Sequence, residues 1–164
     1  MLTFPLAPRY TFVTIQAGSE EPDFLYDTDT DTQRLQYSAR GTLSTTFLVQ
    51  PDKQSQRVVG LVEVDKEDEG AEKVATISHV DIVESHRGKK MCRLMLSHVL
   101  RELRQAGYNK AELINISDQV SACMCYLRAG KDAGFPVVGM EEKDCKDAEM
   151  SMEKRMMRYS MPTG

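Results

Sequence analysis

Apolar positions recur along this chain at two spacings, and the change from one to the other marks out its elements. Between residues 74 and 83, Val74, Thr76, Ser78, Val80 and Ile82 alternate with Ala75, Ile77, His79, Asp81 and Val83. A period of two with β-branched residues in both sets predicts a central strand covered on both faces. After Gly88 the period lengthens to nearly four. Arg93, Ser97, Arg101 and Arg104 form a polar stripe, with Cys92, Leu96, Val99, Leu100 and Leu103 across from it. That pattern predicts an amphipathic helix ending near residues 106–107, where Gly107 suits a left-handed C-terminal position.

The same reading extends to the rest of the chain. Residues 9–16, 43–49 and 57–64 read as strands, the last two joined by a polar turn that Pro51 opens. The acidic segment at 65–73 is a second hairpin connection. A short helix is expected at 32–39, within a segment whose Asp-Thr repeats favour turns and caps. Residues 111–117 form a short buried strand, and 118–132 a second helix with Ser117 or Asp118 as N-cap. Residues 136–140 and 150–159 read as two final strands. Strand, crossover helix and strand in succession imply a parallel pair among otherwise antiparallel neighbours. The expected fold is α/β, one domain over residues 1–164, with a mixed, mostly antiparallel sheet of six or seven strands and helices on both sides.

Composition narrows the class. At 164 residues, 41% hydrophobic and 28% charged, the chain can bury a core of ordinary size. No apolar run is long enough to span a membrane and the first ten residues lack the order of a secretion signal, so no membrane partner is expected. The net charge of −4 argues against nucleic acid as a partner bound through bulk electrostatics. Cys92, Cys123, Cys125 and Cys145 have no paired spacing, which fits reduced thiols in a cytoplasmic or nuclear setting. No metal set is expected: Cys123 and Cys125 lack partners at zinc spacing, and Met150, Met152, Met156 and Met157 read as strand packing.

Between the central strand and the helix lies Arg87-Gly88-Lys89-Lys90-Met91-Cys92. Three of its first four residues are cationic, at the end of a helix where cations are unfavourable unless an anion offsets them. Unpaired N–H groups and the positive dipole end suit a pyrophosphate there. The plainer alternative is a solvated basic turn.

These residues resemble motif A of the GNAT superfamily, the acetyl-CoA-dependent N-acetyltransferases, whose turn reads Gln/Arg-x-x-Gly-x-Gly/Ala after an apolar-x-apolar pair. Val80 and Ile82 fill the pair, and Arg87 opens the motif. Lys90 and Cys92 stand where glycines are usual. A second likeness lies in the later helix, where Ala122, Tyr126 and Gly130 match the family's Asn-x-x-Ala-x-x-x-Tyr-x-x-x-Gly and Gln119 replaces the Asn. The run from Tyr126 to Gly130 is similar to that of spermidine/spermine acetyltransferases.

The resemblance implies acetyl-CoA as cosubstrate. Backbone groups around Ile82 and Val83 would take the pantetheine arm and the thioester, and amides of Gly88, Lys89, Lys90, Met91 and Cys92 the pyrophosphate. Arg87 and Asn115 complete the implied cofactor-binding set. Tyr126 would serve the leaving thiolate, which needs a hydrogen-bond donor or a proton. The acceptor amine must be neutral to attack. A lysine-like amine is only about 1 part in 2,500 neutral at pH 7, equivalent to about 4.6 kcal/mol. Ser78 occupies the place where many relatives carry a glutamate base. His79 is a candidate if a bulge turns it inward, and Glu63 is another.

The implied activity is acetyl transfer to a primary amine. Acidic residues in the segment after the first strand favour a cationic acceptor, either a polyamine or a lysine side chain in a peptide. A homodimer is left open. Two rival readings remain: a degenerate, non-catalytic domain that binds CoA or a protein partner, and a phosphate or nucleic-acid binder built on the basic turn, which the net negative charge disfavours.

Overall fold

The computed structural model describes residues 9–67, 72–88, 90–116, 119–147 and 149–162. Six strands form one sheet in sequence order: β1 (Thr11–Gln16), β2 (Ser44–Asp52), β3 (Ser55–Lys66), β4 (Val74–Ile82), β5 (Lys110–Ile114) and β6 (Met156–Ser160). All neighbours are antiparallel except β4 and β5. The helices are α1 (Thr30–Gln36), α2 (Met91–Gln105), α3 (Val120–Asp132) and the single turn α4 (Met152–Arg155). This is the mixed sheet that the hydrophobic periods predict.

Two features of β4 position everything that follows. Glu63 pairs with His79 and Val64 with Ile77, so Ser78 is an extra residue in the β3–β4 ladder. Its Oγ donates to the Glu63 carbonyl at 3.3 Å. A bulge of this kind reverses which side chains face which side of the sheet. On its other edge β4 pairs with β5 only from Val74 to Ile77, against Lys110 to Leu113. Beyond Ile77 the two strands part, although β4 runs on to Ile82.

The core is continuous across the sheet, with Phe47, Leu61, Leu96, Leu100, Leu127 and Tyr159 all essentially inaccessible. Ser97 belongs to it rather than to the exposed stripe: it is 2% exposed and donates to the Leu94 carbonyl at 3.0 Å. The apolar face of α2 is wider than its sequence pattern because α3 as well as the sheet covers it. The arginines of the stripe have a structural task. Arg93 grips the Asp132 carboxylate at 2.5 and 2.8 Å, Arg101 reaches the Asp132 carbonyl at 3.4 Å, and Arg104 the Ala133 carbonyl at 3.1 Å. They neutralise the negative end of α3.

Several boundaries depart from expectation. Helix α1 starts at Thr30 because Asp29 caps it, accepting from the Thr32 N–H at 2.7 Å. Helix α3 starts after Gln119, which gives no side-chain cap; Ser117 and Asp118 lie outside the described residues. No strand spans 136–140; Val137 makes one isolated bridge to Tyr159. Ser151 caps α4, so the last strand begins only at Met156.

The four cysteines are not thiols. Cys92 in the first turn of α2 is bonded to Cys125 in α3, and Cys123 to Cys145 in the 3₁₀ turn Glu142–Lys146. Each bond joins elements that tertiary packing brings together, so spacing along the chain carried no sign of it.

Gly130 explains part of the motif around Tyr126. A Cβ placed there would lie 2.9 Å from the Tyr159 ring and 2.8 Å from the Phe135 carbonyl, and neither neighbour is a flexible side-chain end. Gly130→Ala should therefore destabilise the protein by about 1–3 kcal/mol, as an overpacked core does. Urea denaturation checks this; an unchanged midpoint would show that α3 can shift away from β6 freely.

Candidate active site

Where β4 and β5 separate, the ends of α2 and α3 enclose a cavity of about 690 Å³. Its walls include Ile82, Arg87, Gly88, Lys90 and Met91 on one side and Ala122 and Tyr126 on the other, with Cys92 and Cys125 between them. The turn and the tyrosine, 34 to 39 residues apart in sequence (126 − 92 and 126 − 87), thus meet at one site.

The local chemistry is that of an anion site. Lys90 precedes α2 and Gln119 precedes α3; neither caps its helix, and neither helix has an acid in its first turn. Two positive dipole ends, neither capped by its N-cap side chain, face the same space. Among the cations, Arg93 is held by Asp132 and Arg128 by Glu142 at 2.8 Å. Lys90 makes no ion pair among the described residues. The turn is tight: Gly88 has φ +79° and Lys90 φ +60°. Lys90 therefore holds the left-handed conformation that glycine would take more cheaply, at a cost of about 1–2 kcal/mol.

Arg87 closes the turn from within. Its Nε donates to the Ile82 carbonyl at 2.8 Å, and one Nη lies 3.6 Å from Asp81 and 4.0 Å from Asp31. Asp81 is a hub that the sequence reading passed over, although a carboxylate two residues from His79 in an apolar strand was the available sign. It is 11% exposed in its side chain and accepts from Arg34 Nε of α1 at 2.8 Å. Burial pushes its carboxyl up, but His79 and Arg34 outweigh burial and hold it below the usual range. His79 Nε2 is 3.6 Å away. That pairing, opposed by burial and aided by Glu63, raises the imidazole. Tyr126 is pushed up by burial and then by the Asp81 charge, so its phenol keeps its proton.

Not every candidate joins the cavity. Val83 is buried and its N–H donates to the Val59 carbonyl at 2.9 Å; its side chain lines a second cavity instead. Asn115 is 1% exposed and tied by its backbone to Arg155 at 2.7 Å, away from the cleft wall. His79 stands behind Asp81 rather than on the wall, brought to that side by the Ser78 bulge. Lys89 lies outside the described residues. Glu63 is buried and accepts from the Arg40 N–H at 3.1 Å.

The second cavity, of about 400 Å³, is acidic: Asp27, Asp29, Asp31 and Glu84 line it beside His86 and Val83. Asp31 ties this wall to the turn by accepting from the Glu84 N–H at 2.5 Å. Arg87, which lines the large cavity, lies between Asp81 on that wall and Asp31 on the acidic one.

The chain matches the Acetyltransferase (GNAT) family over residues 13–130, well over half its length, and belongs to that family. Acetyl-CoA is the family's acetyl donor. No curated protein matches the sequence significantly. Solved structures share the fold. The AtaTR complex bound with AcCoA aligns with a TM-score of 0.58 at 11% identity, over 92% of each chain. The KacTA–DNA complex aligns with a TM-score of 0.52 at 16% identity, over 93% of each chain. The IAA acetyltransferase of Bacillus cereus ATCC 14579 aligns with a TM-score of 0.51 at 21% identity, over 93% of this chain and 99% of that one.

These likenesses correct one expectation, the exclusion of nucleic acid as a partner. The KacTA complex and the AtaT–AtaR complex are both solved with DNA, and AtaT is also solved with the C-terminus of its antitoxin. The net charge of −4 was a poor ground for exclusion, because binding responds to local fields and this surface separates its charges.

Protonation of His79 is linked to stability. Its native pKa is raised, so its contribution is fully present below the ordinary value of 6.5 and is lost as pH rises through the higher native value. The stability gap between the wild type and His79→Gln should accordingly shrink from pH 6 to pH 8 in urea titrations. A gap independent of pH would mean that Asp81 does not hold the imidazole in solution.

Proposed function

We propose that this acetyltransferase acts on a cationic primary amine, polyamine or lysine-like, with Tyr126 as acid and His79 as base. The observation that carries the reading is the meeting of the Arg87–Cys92 turn and Tyr126 on one cavity between two uncapped helix N-termini. The residues fit a diphosphate-bearing cosubstrate: N–H groups and Lys90 at one end, the apolar Ile82 and Met91 along the wall, and a phenol further in.

Acetyl-CoA supplies a thioester whose sulfur leaves as a thiolate. Tyr126, protonated because of its burial and the neighbouring Asp81 charge, donates to that sulfur. The amides of the turn hold phosphate oxygens, and Arg87 locks the turn to β4. On the other side, the acidic cavity favours a positively charged acceptor over a neutral one. The acceptor must then lose a proton. His79, made more basic by Asp81 on the wall of the large cavity, is the group that takes it. It acts only when neutral, so the rate rises with pH.

Titration with acetyl-CoA, read as a rise in melting temperature, comes first. Thiol release is then measured with polyamines and with lysine peptides. Tyr126→Phe should lower kcat by about a hundredfold while leaving acetyl-CoA affinity nearly unchanged, the scale of one acid–base contribution. His79→Gln should remove an inflection lying above pH 6.5 from the kcat/KM profile. Binding of acetyl-CoA with no thiol release for any amine would instead favour the non-catalytic reading, in which Lys90 and Cys92 replace the usual glycines without loss of the fold.

A further inference from the structure

The two disulfides differ in their surroundings. Cys123 and Cys145 are 2% and 5% exposed, within the core. Cys92 and Cys125 are only partly buried, and both line the large cavity. Their Cα atoms are 6.3 Å apart, and the bond ties the first turn of α2 to α3 one residue before Tyr126. It joins the two walls that the proposed function uses, the phosphate-binding turn and the helix carrying the acid.

We propose that Cys92–Cys125 is a thiol–disulfide exchange site for small dithiols, and that the intact bond keeps the cleft in its acetyl-CoA-binding shape. The accessible bond reacts and the buried one does not. Attack by the thiolate of a dithiol on Cys125 Sγ breaks the S–S bond, and Cys92 leaves as a thiolate. That charge forms at the positive end of α2, among Arg87, Lys90 and Arg93, where it is stabilised. The second thiolate of the reagent then displaces Cys125. The reagent ends as a disulfide, and the protein has gained two electrons and two protons as two thiols.

Opening the bond changes the turn in a defined way. Lys90 offers α2 no cap, and the covalent tie to α3 and the Arg93–Asp132 pair hold its first turn in place beside core packing. Without the tie the turn frays more readily, and the N–H groups lose the fixed aim that a bound phosphate needs. The Cys92 side chain, now drawn towards α3, becomes free to swing over those N–H groups. Affinity for acetyl-CoA therefore falls on reduction. This last consequence rests on the proposed cofactor site, whereas the reactivity of the bond does not.

The test has two arms. In the first, the full chain without cosubstrate is titrated with dithiothreitol, alkylated and mapped by mass spectrometry, with amide hydrogen exchange followed in α2. Cys92 and Cys125 should be alkylated at lower reductant than Cys123 and Cys145, and exchange at residues 92–95 should speed up severalfold. Simultaneous opening of both bonds, or unchanged exchange after Cys92–Cys125 has opened, overturns the proposal. In the second arm, calorimetry with acetyl-CoA compares the oxidised protein, the selectively reduced protein and the Cys92→Ser/Cys125→Ser double variant. The dissociation constant should be about fivefold weaker or more in the latter two, a typical cost of lost preorganisation. The double variant should ignore dithiol, while Cys123→Ser/Cys145→Ser should still respond. Equal affinity in both redox states overturns the cleft-shaping role. Acetyl-CoA binding to neither state removes the acetyl-transfer reading, and the first arm then decides the exchange site alone.

Discussion

Backbone polar groups taken out of a sheet need new partners, and this requirement governs the molecule. β4 pairs with β5 for four residues and then runs on without it to Ile82. The N–H and C=O groups on that edge face a gap, and each would cost about 1–3 kcal/mol if buried unpaired. One is met internally, since Arg87 reaches back to the Ile82 carbonyl. The rest of the edge stays open to water because the cavity is open, which is the condition under which a ligand can replace that water. The two helix ends add to the demand, as the N-cap side chain of each leaves its N–H groups uncapped. A bound molecule that is an anion at one end and amide-rich along its arm meets both needs together.

Charge is distributed to match. Cations surround the uncapped helix ends, where the dipoles alone would repel them by several tenths of a kcal/mol each. Asp132 and Glu142 offset Arg93 and Arg128, and Asp81 and Asp31 offset Arg87, so among the described residues Lys90 is the cation of this wall without an ion pair. Across Arg87 the sign reverses, and Asp27, Asp29, Asp31 and Glu84 face the second cavity. Asp81 sits on this boundary, bonded to Arg34 and close to Arg87 and His79. The global charge of −4 conceals this separation.

What could be read from the sequence follows the same division between local and tertiary causes. The alternation along residues 74–83 and the helical period after Gly88 are local signals, and β4 and α2 appear where they predict. The Arg87 turn and Tyr126 meet on one cavity, and both sit at ends or faces of strongly patterned elements. Asn115 and Val83 do not join them, because whether a residue at a strand end faces a cleft depends on how its neighbour departs. The β4–β5 parting places Ile82 on the cavity wall, yet the N–H of Val83 goes to β3 and its side chain to the other cavity. Ser97 was misjudged because a helix covered from two directions buries more than one stripe. The cysteine pairing depended wholly on α2 packing on α3, and no spacing rule reaches that far.

The missing glycines of the turn are resolved by the same contacts. A glycine normally serves there either by taking a left-handed conformation or by leaving room for phosphate. Lys90 takes the left-handed conformation itself, with φ +60°, and its long side chain is exposed. Cys92 has a side chain where glycine has none, but the bond to Cys125 draws that side chain towards α3. One substitution accepts a modest backbone strain and adds a cation; the other is held aside by a covalent tie. The turn thus keeps a left-handed residue at Lys90 and carries at Cys92 a covalent tie that glycine could not provide.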